Sequence, residues 1–226
     1  CGRLFRRLFL GEVPDRLCHD LRRRRPAVEA ARGWSGDHDR QPTCADGQWK
    51  GDTGEVGRWP FVRRRGQVGV IGVSSAEVTA PFMATGRFDA IQAMRLAELL
   101  DRLGHEGLYR VVLIHHPPAK KPVHWAGRLI GTARFREVIH RHGAELILHG
   151  HTHRSTVEWL EGNERPVPLV GVPSASRNPG PDRRGAGWNL FEITGAAGAW
   201  RTTRIERGFR DASSGVVEIS RAPLVP

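Results

Sequence analysis

Histidines concentrate at the ends of two apolar runs of this 226-residue chain. Eight of its eleven histidines lie between His115 and His153, and five of these eight end or follow a β-branched, leucine-rich segment. The first run reads YRVVLIHHPP and the second reads AELILHGHTH. Neutral imidazole is a ligand for Zn, Fe, Mn and Ni, and paired clusters after apolar runs favour metal binding over scattered surface histidines. The spacing therefore predicts a metal site built from two strand ends.

The surrounding pattern predicts the elements that would bring these histidines together. Residues 109–114 and 145–148 read as buried strands, and open α/β sheets place their sites just beyond the carboxyl ends of such strands. A helix is predicted over residues 89–103, where apolar residues that include Ile91 and Met94 recur at helical spacing. A second helix presents Phe135, Val138 and Ile139 on one face and ends at Gly143. Further strands are predicted at residues 67–73, 156–160, 167–172, 188–193 and 200–205.

Composition places the chain among soluble globular proteins with one sizeable core. Hydrophobic residues make up 39% and charged residues 26% of the sequence, and no apolar run is long enough to span a bilayer. The three cysteines have no CxxC spacing, which favours reduced thiols and gives no zinc signature. We therefore expect a cytoplasmic protein with no membrane partner.

The net charge of +11 raises the question of a nucleic-acid partner. Only three of the 35 basic residues are lysines, and apart from the run at residues 22–25 the arginines are spread along the chain. A solvated basic surface accounts for this distribution better than a binding face does. We do not expect nucleic acid as a partner, although the charge alone keeps that class as the weakest alternative.

Two histidine motifs, HHPP and GHTH, and the upstream run Gly36-Asp37-His38-Asp39 resemble the calcineurin-like metallophosphoesterase superfamily, and within it the bacterial class III cyclic-nucleotide phosphodiesterase type. Segments beginning at Trp59, Gly72 and Gly171 support the likeness, which covers residues 33–194. The resemblance implies an α/β fold, a four-layer α-β-β-α sandwich. The phosphoesterase domain would span residues 36–210, between an aberrant or truncated arginine-rich segment (1–35) and a C-terminal tail (211–226).

The resemblance also implies roles for individual residues. His115 of HHPP and both histidines of GHTH, His151 and His153, would be metal ligands. Asp37 stands where the family has an asparagine ligand, and it would add a charge there. His38 matches the histidine that contacts the scissile phosphate and assists the leaving oxygen. We assign substrate contact to His116 as well.

Two motifs of the family do not occur in this sequence. It has no Asp-x-His, and no GDxxD precedes the GNHD-like run, so the first βα unit would be missing or disrupted. The resemblance implies two divalent ions (Mn, Fe or Zn); without a bridging carboxylate at most one would be held well.

The expected function is hydrolysis of a small phosphomonoester or phosphodiester, cyclic nucleotides included, by attack of a metal-activated hydroxide. The alternative is a catalytically defective remnant of this fold that binds at most one metal.

Overall fold

The structure is a computed structural model that describes residues 59–119, 125–180, 185–211 and 215–225. The chain divides into two compact units, Cys1–Arg58 and Trp59–Pro226, and the described residues all belong to the second. The expected arginine-rich segment, its boundary at residue 36, Asp37 and His38 all lie outside the described residues.

Strands and helices alternate in the first part of this unit, and strands follow one another in the last. The described residues contain two α-helices, α1 (Ala90–His105) and α2 (Thr132–His142). The strands, in chain order, are β1 (Phe61–Arg65), β2 (Val68–Gly72), β3 (Gly86–Arg87), β4 (Tyr109–Ile114), β5 (Leu129–Ile130), β6 (Leu146–His149), β7 (Thr156–Leu160), β8 (Val167–Gly171), β9 (Gly187–Thr194), β10 (Arg201–Gly208) and β11 (Val217–Pro223).

Six of these strands form a mixed central sheet in the order β1-β2-β4-β6-β8-β7. The four inner strands are parallel, and the two edge strands run antiparallel to their neighbours. Strands β4, β6 and β8 are almost entirely buried, as expected for parallel strands that are covered on both faces. The carboxyl ends of the four parallel strands therefore lie on the same side of the sheet.

Helix α1 begins where the Asp89 side chain accepts a hydrogen bond from the backbone N–H of Gln92 at 2.8 Å. Its leucines, from Leu96 to Leu103, are buried against the sheet and against α2. Ile91 and Met94, which the periodicity placed with the other apolar residues, are 58% and 60% exposed instead. The face of α1 that packs against the protein therefore contains fewer residues than the apolar pattern predicts.

A largely buried ion pair joins the helical layer to the sheet. The Arg110 guanidinium donates two hydrogen bonds to the Glu145 carboxylate, both at 2.9 Å. It also donates to the carbonyl oxygens of Leu100 in α1 and His142 in α2. Both helices are thus tied to the same face of the central sheet.

Tyr109, the residue before Arg110, points to the opposite face of the central sheet. There it contacts the second sheet, whose strand order is β11-β10-β9. The hydroxyl of Tyr109 lies 2.6 Å from the Thr202 hydroxyl, and its ring meets the Trp200 ring edge-to-face. The described residues therefore form a helix layer, two larger sheets, and a small parallel sheet made of β3 and β5. No described residue forms a second helical layer, so the fold is mixed α/β and the four-layer sandwich is not confirmed.

Several sequence predictions are confirmed at the level of elements. Strand β4 has the predicted bounds, β2, β6, β7 and β8 lie within a residue or two of theirs, and α2 ends at Gly143 as predicted. The segment expected as a C-terminal tail contains strand β11, which pairs with β10. Among the described residues, no helix is long and apolar enough to cross a membrane.

Candidate metal centre

The two histidine motifs leave the sheet from adjacent parallel strands. Ile114 of β4 is paired with His149 of β6, and one step further the backbone N–H of Gly150 donates to the His115 carbonyl at 3.1 Å. His115 and His151 therefore emerge at the same edge of the sheet, side by side. This is the position where open α/β sheets carry their sites.

Two ring nitrogens face each other at this edge. Nε2 of His115 and Nδ1 of His151 are 3.3 Å apart, and the two rings are nearly perpendicular, with an interplanar angle of 80°. Two nitrogens bound to one tetrahedral zinc, each at about 2.0–2.1 Å, would be separated by about 3.3–3.4 Å. The observed separation, which is also a hydrogen-bond distance, matches the spacing of two nitrogens on one zinc ion, so the two residues fit a metal ion.

The opposite nitrogen of His151 is turned toward the backbone. The Gly127 backbone accepts a hydrogen bond from this ring, and a Cβ built on Gly127 would lie 2.6 Å from His151 Nε2. A carbonyl acceptor at Nε2 keeps the proton on that atom and leaves the Nδ1 lone pair free for a ligand. Gly127 thus favours a tautomer in which Nδ1 can bind a metal, and a Cβ at this position would crowd the His151 ring.

His116 is held differently. Its Nδ1 is 2.8 Å from the Ser75 hydroxyl, and its Nε2 is 2.8 Å from the Ala84 carbonyl oxygen. Both nitrogens therefore have partners, and the residue is only 7% exposed. To bind a metal or a substrate, His116 would have to give up one of these bonds. These contacts indicate that His116 holds the loop between β2 and β3 in place beside the site. Its ring also packs on the ring of His151.

The site favours neutral imidazoles. Partial burial of the His115 ring, followed by the neighbouring histidines, lowers its pKa to about 4, although the residue as a whole is exposed. The same two causes lower the pKa of His151, and burial lowers the pKa of His149. At neutral pH these rings carry lone pairs rather than positive charge, which is the state that coordinates a metal.

The predicted site residues fall into three groups. His115, His116 and His151 come together, each offering a nitrogen within 4.8 Å of the others. His153 is exposed, has a left-handed backbone with a φ of 54°, and is not a member of that group. Asp37 and His38 lie outside the described residues. Among the described residues, no carboxylate joins the three histidines.

Sequence reasoning missed Ser75, Gly86 and Gly127. A Cβ at Gly86 would lie 2.2 Å from His116 Nδ1, so this glycine makes room for His116 as Gly127 does for His151. Ser75 follows the strand that is predicted at residues 67–73. The Gly-Val-Ser-Ser-Ala run was the only signal that could have pointed to it.

No family model matches this chain, and no curated protein does. The similar solved structures include Vps29 from Entamoeba histolytica. Wild-type Vps29 complexed with zinc is 13% identical, with a TM-score of 0.27, and the match covers 68% of this chain and 98% of that one. A doubly substituted Vps29 is 16% identical, with a TM-score of 0.28, covering 57% and 89%. Likenesses this weak do not establish a shared fold, and the site rests on its own geometry.

Proposed function

We propose that this chain is a metal-dependent phosphoesterase of the calcineurin-like metallophosphoesterase type, acting on a phosphomonoester or phosphodiester. The observation that carries the proposal is the 3.3 Å separation of His115 Nε2 and His151 Nδ1 at the carboxyl ends of adjacent strands. It is supported by the HHPP and GHTH motifs from which these two residues come.

Each residue has a separate task in this proposal. His115 and His151 bind the ion through the two facing nitrogens, and the resemblance assigns further ligand roles to Asp37 and His153. His116 holds the loop of Ser75 and Ala84 in place at the rim of the site. The resemblance assigns to His38 contact with the phosphate and assistance to the leaving oxygen. The chemistry that divalent ions supply at such a site, when bound, is polarisation of the phosphoryl oxygen and a lowered pKa of water.

The second candidate is a non-catalytic chain that binds a single ion through its histidines. The observation that favours it is the composition of the described cluster, which contains histidines and no carboxylate. A dinuclear centre needs ligands enough for two ions, and a bridging carboxylate usually supplies part of them. In this candidate, the metal stabilises the fold without hydrolysis.

Metal content and hydrolysis separate the two candidates. The full chain would be analysed for bound Mn, Fe and Zn, and then assayed with bis(p-nitrophenyl) phosphate in added Mn²⁺. We expect hydrolysis, and we expect His151→Ala to abolish it together with metal binding. The matched control is His140→Ala, which removes an exposed histidine of α2 and should change neither. One ion per chain and no hydrolysis at any metal concentration would instead establish the second candidate.

A further inference from the structure

The loop that presents His151 and His153 has an unfavourable backbone. Both residues have positive φ angles, 62° and 54°, although neither is glycine. Such conformations persist in non-glycine residues only where the surroundings hold them. The amino-terminal side of the loop is held by backbone hydrogen bonds, from Gly150 to His115 and from Thr152 to Gly150. The carboxyl-terminal side must be held by something else before the chain enters β7 at Thr156.

Arg204 of the second sheet reaches this side of the loop. Its Nη2 donates to the hydroxyl oxygen of Ser155, which is the residue between Arg154 and β7 and lies two positions after His153. Arg204 belongs to β10, on the face that also carries Thr202, whose hydroxyl meets Tyr109 of the central sheet. The contact therefore runs from the inner face of the second sheet to the histidine loop.

The guanidinium itself has little freedom. Its Nε donates to Oδ1 of Asn189 at 2.9 Å, and Nη2 also donates to Oε2 of Glu206 at 3.0 Å. The side chains of Arg204 and Glu206 are 11% and 8% exposed, so the pair is buried. A planar guanidinium whose donors are bonded on two sides is held more rigidly than a lysine ammonium would be. Arg204 can therefore hold Ser155 at a fixed point.

We propose that Arg204, acting through Ser155, is a positioning residue that sets the direction in which the His151 and His153 rings are presented to a metal. This inference rests on the proposed metal site. It assigns Arg204 no contact with substrate or metal: the residue acts on the backbone that carries the ligands. Groups that orient ligands in this way typically change metal affinity by about 10–100-fold when they are removed.

The test uses Co²⁺ alone as the probe, with the full chain. Ser155→Ala removes the acceptor and leaves the Arg204–Glu206 pair intact. We expect it to weaken Co²⁺ binding by about 10-fold and to change the visible d–d absorption of the bound ion. Ser155→Thr, which keeps a hydroxyl, should restore both. Ser220→Ala is the matched control, because it removes a hydroxyl contact to Glu206 at 3.4 Å without touching the loop, and it should change neither.

A second measurement needs no metal. In the metal-free chain, imidazole ¹H–¹⁵N spectra of Ser155→Ala should show shifted His151 and His153 resonances and unchanged His140 and His142 resonances. Unchanged affinity, absorption and imidazole shifts in Ser155→Ala would overturn the positioning role and leave the metal site standing. A wild-type chain that binds no Co²⁺ would overturn the metal site, and the positioning role with it.

Discussion

Nε2 of His115 and Nδ1 of His151 lie 3.3 Å apart although the two residues are 36 positions apart in the chain. The pairing of β4 with β6 brings them together, and α2 makes the crossover between the two strands. The site is thus a product of one β-α-β unit, in which each strand ends at its histidines. Metal binding should therefore depend on features that hold these two rings, and several of those features can be changed singly.

Gly127→Ala should weaken metal binding without unfolding the protein. The added methyl group would lie 2.6 Å from His151 Nε2, which is too close, so the ring must turn away from His115. We expect at least a 10-fold loss of Zn²⁺ affinity, the size typical for groups that orient a ligand, measured by competition with a chromogenic chelator.

Gly215→Ala is the control for this change, because a Cβ there meets no atom within 4 Å and its φ is not positive. It should bind Zn²⁺ like the wild type. Equal affinity in both variants would show that the His151 ring does not depend on the space beside Gly127.

His115→Ala should remove a metal ligand, whereas His116→Ala should not. Both nitrogens of His116 have protein partners, whereas His115 Nε2 faces His151. X-ray absorption of the zinc-loaded chain should show one imidazole fewer in His115→Ala and an unchanged number in His116→Ala. The loss of an imidazole in both would make His116 a ligand that exchanges its Ala84 bond for the metal.

The metal-free protein should lose stability as the pH falls from about 6.5 toward 4. Burial lowers the pKa of His115 to about 4 and also lowers the pKa values of His149 and His151. The unfolded chain, whose histidines keep ordinary pKa values near 6.5, then binds more protons than the folded chain, so the free energy of unfolding rises with pH across this window and flattens above it.

Urea unfolding at several pH values in the presence of a chelator measures this slope. His115→Gln, which removes one of the groups, should give a shallower slope. A wild-type stability that does not change between pH 4 and 6.5 would contradict the lowered pKa values.

Glu145→Gln should destabilise the fold strongly, because it leaves the buried Arg110 guanidinium without its counter-charge. Breaking a buried pair from one side costs about 3–5 kcal/mol. The control is Glu137→Gln, which breaks the exposed pair with Arg141 on α2 and should cost about 0.5 kcal/mol or less. Equal midpoints of chemical unfolding for the two variants would contradict this difference.

The elements that the sequence predicted well are those with a strong local signal. Strand β4 is a β-branched run with clear ends, and α1 starts at a capping aspartate. Strands β1 and β11 were missed because their signal is not local. β1 contains three consecutive arginines, and β11 is largely exposed and pairs only with β10. Their pairing partners, rather than their own composition, make them strands.

The residues of the site also divide into those with a local sequence signal and those without one. His115 and His151 could be predicted because metal ligands recur in recognisable motifs at strand ends. The roles of Ser75 and Gly127 could not, because each depends on a close approach between segments far apart in the chain: Ser75 meets His116 from 41 residues away. Such approaches are set by the packing of the sheet, which no short motif encodes.

The two histidine-bearing strands occupy the third and fourth places in a sheet of six. Edge strands of a sheet open first, and central strands exchange their amide hydrogens only when the whole domain unfolds. The ligands are therefore attached to the part of the protein that opens least often, so the metal-binding geometry should survive local fraying. When the metal-loaded chain is unfolded by denaturant, the metal should accordingly be released in the same cooperative transition in which the fold is lost.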